Sequence, residues 1–313
     1  MKFLQIDLLF NFEVELYVLI LIMGSKRDHI ERTQLIDIDK ILNKRNPGLY
    51  KKLPKFVLRY LRKTLRQDEI NEFIKTHNHL PAVEFLKCSF EYFDIHSEVF
   101  GKENLPNNGN VIFVSNHPIG SFDGLHIISI IYSKYGTIKA VVNDLLLNVK
   151  NLNEFFLGVN KHGLTSREYV SQLNKVFDSD IPIFFFPAGL VSRKKGKTIT
   201  DAEWKKTFLI RALKHKRDIV PIYIDGRLTN KFYRIANFRK FFNIKANLEM
   251  FYLPDEMIKQ KGRKLKISIG KPIPYISFLK DYNTYEWSQK IKTHVYSLKN
   301  DLNKEFMKDY KKS

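Results

Sequence analysis

The chain has 313 residues with a formal net charge of +20, and 44% of its residues are hydrophobic. This size allows one large domain or two small ones with a substantial core. The single cysteine, Cys88, excludes an intrachain disulfide, and the nine histidines show no metal-site spacing, so no metal is expected. The positive charge favours an anionic partner. Because no zinc finger, RNP-type motif or basic heptad region occurs, we do not expect that partner to be nucleic acid.

The first 22 residues are apolar and are expected to be either an arm that contacts a membrane or an extension read from an upstream start codon. The apolar run 14–23 is shorter than the roughly 20 residues that span a bilayer. The segment lacks the basic start and the cleavage site of a signal peptide. Met23 is followed by a polar stretch that is typical of an ordinary protein start.

Residues 23–100 are predicted to form a helical N-terminal region, in which residues 51–66 stand out. This segment carries seven Lys or Arg residues and no acidic residue. Leu53, Val57, Tyr60, Leu61 and Leu65 fall on its other side at helical spacing, and Pro54 suits a first helical turn. Such a helix either lies in an anionic lipid interface or packs on the core with a solvated basic face.

Residues 101–280 show strands that alternate with helices, a pattern typical of an α/β domain with a mixed, largely parallel sheet flanked by helices. Strands are predicted at residues 111–115, 138–142, 155–160, 182–186, 219–224, 246–252 and 265–269, and helices at 124–134, 166–178 and 203–215. Residues 281–313 are predicted to form a basic C-terminal helix, mainly over 284–310. We therefore expect an N-terminal helical layer built onto one α/β domain.

The first predicted strand runs into the sequence Ser-Asn-His-Pro-Ile-Gly-Ser-Phe-Asp-Gly, which contains His117 and Asp123. On one continuous helix these two residues would lie roughly 120° apart, so the loop must bring them together. A carboxylate bonded to one imidazole nitrogen fixes the tautomer and leaves the other nitrogen as a general base. The alternative is a turn histidine beside a helix N-cap aspartate.

Two further strand ends carry distinctive residues. The strand Ile183–Phe186 ends in Pro187-Ala188-Gly189, and the basic loop 192–197 follows. The small residues allow a ligand to approach the backbone, and the basic run either holds a phosphate or a carrier or is simply solvated. The strand 219–224 contains Pro221, which predicts an edge strand or a bulge.

In this order the motifs resemble the glycerolipid acyltransferase superfamily, which includes the acyltransferases of glycerol-3-phosphate and lysophosphatidic acid. The similarity covers about residues 80–275 and is greatest to the bacterial lysophospholipid acyltransferase or haemolysin-like branch. The segment from Asn116 and His117 to Asp123 matches the catalytic block. Residues 186–189 match the acceptor-binding Phe-Pro-Glu-Gly block, and residues 220–222 match the final Val-Pro block.

The chain departs from the superfamily pattern in four places. Five residues separate His117 from Asp123 instead of four, as in the nearer branch. Ala188 replaces the usual Glu, and Val191 stands in place of the usual Arg, with Arg193 two positions further on. Lys161 only approximates the Arg of the second, acceptor-contacting block. These changes affect the acceptor side, so they argue against lysophosphatidic acid while leaving the acyl-transfer chemistry intact.

The resemblance implies that His117, oriented by Asp123, removes a proton from the hydroxyl of a lysolipid, which attacks an acyl thioester directly. The donor is acyl-CoA or acyl carrier protein, and no other cofactor is expected. The residues expected to bind substrate are Asn116, Gly120, Lys161, Phe186, Pro187, Gly189 and Arg193, with Asn116 and backbone amides around Gly120 as oxyanion donors.

The acceptor stays open among lysophosphatidic acid, another lysophospholipid, and the free hydroxyl of an acylated amino-acid lipid. The basic surface predicts peripheral or monotopic attachment to an anionic membrane, at the cytoplasmic face of a bacterial inner membrane.

Two other functions remain alternatives. One is a serine hydrolase with Ser115 or Ser121 as its nucleophile, although neither lies in a Gly-x-Ser-x-Gly elbow. The other is a basic membrane- or nucleic-acid-binding protein without catalysis, which the net charge and the 51–66 segment favour.

Overall fold

The computed structural model describes residues 35–45, 47–142, 149–158, 166–244 and 248–306. The apolar segment 1–22 and the predicted site residue Lys161 lie outside these residues. The described chain divides into two units. The first contains residues 35–94, 149–153 and 228–261, and the second contains residues 95–142, 154–158, 166–227 and 262–306. Residues 228–261 thus share a unit with the N-terminal helices, whereas the predicted boundaries placed them in the α/β domain.

The helices and strands follow one another along the chain as the alternating pattern predicts. The helices are α1 (Ile38–Arg45), α2 (Pro47–Lys52), α3 (Lys55–Thr64), α4 (Gln67–His77), α5 (Ala82–Tyr92), α6 (Ser121–Tyr135), α7 (Ser166–Phe177), α8 (Thr207–Lys214), α9 (Asn230–Phe241), α10 (Leu253–Ile258) and α11 (Thr284–Ser297). The strands are β1 (His96–Phe100), β2 (Val111–Ser115), β3 (Lys139–Val142), β4 (Phe156–Gly158), β5 (Ile183–Phe185), β6 (Arg193–Lys195), β7 (Thr198–Thr200), β8 (Asp218–Asp225) and β9 (Lys264–Ile269).

The second unit is built on a seven-stranded sheet in the order β1-β9-β8-β2-β5-β3-β4. Among the described strand pairs of this seven-stranded sheet only β8–β9 is antiparallel, which confirms the predicted mixed, largely parallel sheet. One face packs Ile112 and Val114 against Phe208 of α8 and Trp287 of α11. Phe113 points to the opposite face, as alternation along a strand requires, and its ring contacts α6. Helices therefore flank both faces of the sheet.

Strand β8 lies inside the sheet, so the predicted edge position is wrong. Its residues pair with β2 on one side, where Pro221 is opposite Val114. On the other side Ile219 pairs with Ile273 and Ile222 pairs with Ile269, so that two residues of β8 face three of the neighbouring segment. This extra residue is a bulge, the alternative that Pro221 predicted, and it accommodates a residue without an N–H donor.

Three predicted elements differ from the structure in type, continuity or length. The 246–252 strand is wrong over its described part, because residues 248–252 form a 3₁₀ turn that leads directly into α10. Short apolar runs do not distinguish the two conformations. The 51–66 segment is two helices, because Pro54 adopts an extended backbone as the N-cap of α3. The C-terminal helix stops at Ser297, before the predicted end. In the described part of the chain, no helix combines the length and the apolar character needed to cross a membrane.

Candidate active site

The loop after β2 lies at the carboxyl end of the sheet's central strands. All five residues of β2 are buried, and the strand is paired with β5 on one side and β8 on the other. Ser115 is the last residue of β2, and the loop between it and α6 turns at Gly120, whose φ of 95° and ψ of −132° favour glycine. The loop after β5 emerges beside it, since Val114 and Phe185 are in register. Parallel pairing thus juxtaposes two predicted motifs.

His117 and Asp123 are in direct contact, as the sequence predicts. The Nδ1 atom of His117 lies 3.0 Å from Oδ2 of Asp123. The same carboxylate oxygen accepts hydrogen bonds from the backbone N–H groups of Ile119, at 2.9 Å, and Gly120, at 3.0 Å. Asp123 lies in the first turn of α6, where the helix dipole favours a negative charge. With the proton on Nδ1, Nε2 is the nitrogen able to accept another.

Burial of Asp123 disfavours the negative charge that its carboxylate needs to stabilise a protonated His117. Asp123 is fully buried, and this desolvation raises the pKa of its carboxyl above the usual value. The hydrogen bonds from His117, Ile119 and Gly120 oppose the rise by stabilising the carboxylate. The His117 side chain is 17% exposed, whereas that of Asp123 is 0% exposed. A substrate can therefore reach the imidazole ring, while the carboxylate that orients it is shielded from solvent.

Phe186 holds the imidazole ring from one side. The two rings stack with centroids 3.8 Å apart and planes at 23°. Phe184 supports Phe186 edge-on at 4.7 Å. Gly124 lies against this stack, since a Cβ at that position would be in van der Waals contact with the Phe186 ring at 3.4 Å. The Phe-Pro-Ala-Gly motif therefore contributes an aromatic wall to the His117 site.

The rest of that motif shapes the loop. Pro187 is buried, and its carbonyl accepts the N–H of Lys205 at 3.0 Å. Gly189 is exposed with a φ of +70°, and a Cβ there would lie 3.3 Å from Nζ of Lys205. A cation therefore lies beside Gly189, at a position that the sequence did not single out.

The predicted basic loop 192–197 is largely an antiparallel hairpin of β6 and β7, which turns at Gly196. Arg193 belongs to β6, and its Nη1 donates to the carbonyl of Val191 at 2.5 Å. The sequence signal missed the hairpin because each of its strands has only three residues. Its strands place Lys194 and Lys195 on a paired backbone instead of an extended loop.

Asn116 does not have the predicted oxyanion role. Its side-chain amide donates to the carbonyl of Ile224 at 2.9 Å and accepts the N–H of the same residue at 2.8 Å. The residue is 2% exposed. The backbone amides of Ile119 and Gly120 are also engaged, since both donate to Asp123. Asn116 fastens the loop to β8 and does not face a substrate.

Asp201 joins the two loops and was missed by sequence reasoning. Its Oδ1 accepts hydrogen bonds from the Ser192 hydroxyl, at 2.5 Å, and the His117 backbone N–H, at 3.3 Å. Its Oδ2 accepts the Trp204 indole N–H at 2.9 Å, and Ser192 N–H donates to the His117 carbonyl at 2.7 Å. No spacing in the sequence distinguishes this fully buried acid from Glu203 nearby. The contacts show that it positions the His117 backbone.

The geometry supports proton transfer by His117 and disfavours one nucleophile. Ser115 is fully buried, and its hydroxyl donates to the carbonyl of Asn116 at 2.9 Å, so it is not accessible as a nucleophile. Among the described residues no group of three or more His, Cys, Asp or Glu side chains is arranged to hold a metal ion. The site is an oriented imidazole backed by a buried carboxylate, which is suited to activating a hydroxyl.

Comparisons with known proteins agree with the resemblance seen in the motifs. A family model described as acyltransferase matches residues 40–305. The chain is 42% identical over 265 residues to the lyso-glycine lipid O-acyltransferases of Bacteroides thetaiotaomicron and Phocaeicola vulgatus. These alignments cover 84% of this chain and 97% and 95% of those proteins. The crystal structure of the 1-acyl-sn-glycerophosphate (LPA) acyltransferase PlsC from Thermotoga maritima matches with a TM-score of 0.42 and 17% identity, over 70% of this chain and 79% of that one.

Proposed function

The chain belongs to the acyltransferase family, and on that premise we propose that it transfers an acyl chain from a thioester to the free hydroxyl of a lyso-glycine lipid. The observation that carries the proposal is the His117–Asp123 pair at the end of β2, with Nδ1 and Oδ2 3.0 Å apart. The acceptor is taken from the two relatives that are 42% identical, which are named lyso-glycine lipid O-acyltransferases.

In the proposed mechanism His117 acts first as a base and then as an acid. Its Nε2 takes the proton of the acceptor hydroxyl while the hydroxyl oxygen bonds to the thioester carbonyl carbon. The tetrahedral intermediate then breaks its carbon–sulfur bond, and the imidazolium returns the proton to the departing thiolate. Asp123 stabilises the imidazolium, and Phe186 restricts the ring. General-base catalysis of this kind contributes about 10²–10⁴-fold.

The acceptor side of the site is consistent with a lipid other than lysophosphatidic acid. Ala188 and Val191 occupy the positions at which the superfamily pattern has Glu and Arg. Both are buried, at 5% and 3% exposure, and Ala188 packs in the main core. A charged side chain would be costly at either position. The cation of Lys205, which lies beside Gly189, suits an acceptor that carries a carboxylate.

The membrane association and the acyl donor are part of the same proposal. Helices α2 and α3 carry six basic residues and no acidic residue, which suits peripheral attachment to the anionic cytoplasmic face of a bacterial inner membrane. The donor, acyl-CoA or acyl carrier protein, is itself anionic, so the charge of +20 favours its approach. Release of the protein from membranes by high salt is the expected result, and release only by detergent would contradict peripheral attachment.

A lipidomic comparison tests the function in cells. Deleting the gene is expected to deplete the diacylated glycine lipid and to accumulate its lyso form. Wild-type protein restores the lipid, whereas His117→Ala, expressed to the same level, does not. Glycine lipids that are unchanged on deletion would contradict the proposed acceptor, and restoration by His117→Ala would contradict the proposed mechanism.

A further inference from the structure

Three exposed phenylalanines lie together at the end of α9, two of them in contact with the third. Phe238, Phe241 and Phe242 are 58%, 83% and 56% exposed. The Phe242 ring lies 4.5 Å from that of Phe238 and 5.1 Å from that of Phe241. We name these three residues the aromatic cluster. Adjacent exposed aromatic rings form an apolar patch of the kind that marks an interaction surface.

The exposed face of α9 joins the aromatic cluster to basic side chains. Lys231, Arg234, Phe238 and Phe241 are exposed and spaced by three or four residues, so they share one face. The opposite face carries Phe232, Tyr233 and Ala236, which are buried. The helix contains four basic residues and no acidic residue. Its free face is therefore basic at the start and aromatic at the end.

A second basic helix of the same unit, α3, also exposes aromatic residues. Helix α3 has no acidic residue and exposes Phe56, at 71%, and Tyr60, at 51%. Its Tyr60 hydroxyl lies 2.7 Å from that of Tyr252, and Lys231 of α9 lies over the Tyr252 ring at 4.3 Å. Helix α4 bears acidic residues in its first turn and exposes no large hydrophobic side chain.

The combination of aromatic rings and cations matches one partner. Aromatic side chains bury at the boundary of headgroups and acyl chains, while Lys and Arg bind anionic headgroups. We propose that α9 inserts the aromatic cluster into the interface of an anionic lipid bilayer. The proposal rests on the proposed function, because a lysolipid acceptor is presented by a bilayer. A second copy of the chain would supply further positive charge, which the basic face disfavours.

A fluorescent reporter tests the insertion directly. The two native tryptophans, Trp204 and Trp287, are 1% and 0% exposed, so they give a background that is protected from lipid. Phe241→Trp places a reporter in the aromatic cluster, and Ile276→Trp, at a position 61% exposed in the other unit, is the matched control. Each is mixed with vesicles of brominated phosphatidylcholine, with and without phosphatidylglycerol.

The proposal predicts that only the Phe241→Trp reporter is quenched severalfold, and only when phosphatidylglycerol is present. It is overturned if that reporter is not quenched, if neutral vesicles quench it equally, or if Ile276→Trp is quenched as strongly. It is also overturned if the protein is a dimer with a blue-shifted Phe241→Trp emission before vesicles are added.

Vesicle affinity gives an independent measurement. The triple variant Phe238→Ser, Phe241→Ser, Phe242→Ser should partition at least about tenfold more weakly to phosphatidylglycerol vesicles. The control Ile276→Ser, Leu279→Ser removes apolar residues that are 61% and 62% exposed, and it should bind as wild type. If the triple variant is unfolded by circular dichroism, Phe241→Ser alone replaces it, with a smaller loss expected. Equal binding of cluster variant and control would refute the proposal. These assays contain neither donor nor acceptor, so a failure of acyl transfer leaves them interpretable.

Discussion

Replacing Asp123 separates its electrostatic role from its structural one. Oδ2 accepts three hydrogen bonds, from His117 Nδ1 and from the N–H groups of Ile119 and Gly120. In Asp123→Asn the amide oxygen can accept the same three bonds, so the turn is retained while the negative charge is lost. The neutral hydrogen bonds are weaker, which lowers the free energy of unfolding. The variant no longer buries a charge, which offsets this loss; the raised pKa of Asp123 shows that burial disfavours the charged carboxylate. We therefore expect unfolding free energies within about 1 kcal/mol of wild type.

Catalysis should respond very differently from stability. Without the carboxylate the imidazolium of His117 is not stabilised, and kcat for acyl transfer should fall by about 10²–10⁴-fold. The matched variant Asp123→Ala removes the acceptor from two buried backbone N–H groups, which costs about 2–6 kcal/mol and should appear in urea unfolding. Initial rates of acyl transfer and urea titrations measure the two effects separately. An Asp123→Asn enzyme with kcat within a few-fold of wild type would show that Asp123 is only a helix cap, and would refute the reasoning.

Three further perturbations test the surroundings of the pair. In Asp201→Asn an amide N–H faces the Trp204 indole N–H, so the free energy of unfolding should fall by about 1–3 kcal/mol, and kcat should fall while KM for the acceptor is unchanged. Asp201→Glu should restore neither the free energy of unfolding nor kcat fully. A wild-type kcat in Asp201→Asn would contradict the positioning role. Gly120→Ala forces a side chain to φ 95° and should cost about 1–3 kcal/mol and most of the activity, whereas Gly136→Ala, at φ 68° with open space around it, should keep activity. Burial lowers the pKa of His126 to about 4 from 6.5. Below pH 6.5 His126 is therefore protonated in the unfolded chain but stays neutral in the folded chain, so the free energy of unfolding decreases as the pH falls towards 4. In urea titrations the free energy of unfolding of His126→Gln should decrease by about 2 kcal/mol less than that of wild type between pH 7 and pH 5. Equal decreases would contradict the lowered pKa of His126.

The sequence predicted the fold and the His117–Asp123 contact well because both depend on local patterns. Apolar runs such as Val111–Val114 mark buried strands, and the short loop from His117 to Asp123 leaves few ways to arrange the two side chains. The sequence placed Phe186 and His117 in loops at strand ends, which parallel strands bring together, but the stacking of the two rings was not predicted.

The features that the sequence did not predict depend on contacts between segments distant in sequence. Asn116 was assigned to an oxyanion, but its amide pairs with Ile224, which is 108 residues away. Asp201 looked like any acidic residue, yet it binds the His117 loop across 84 residues. The interior position of β8 was missed because a proline in a strand usually indicates an edge, and the bulge lies in residues 270–272, which face β8, so it is not visible in the sequence of β8 itself.

The central claim is tested most directly by acyl transfer with the purified chain. Wild-type protein, an acyl thioester and a lyso-glycine lipid in anionic vesicles are expected to yield the diacylated glycine lipid and one free thiol per lipid formed. His117→Ala should yield neither above background, and lysophosphatidic acid should be a poor acceptor for wild type. Equal product from wild type and His117→Ala, or no transfer from either acyl-CoA or acyl carrier protein to the glycine lipid, would contradict the account.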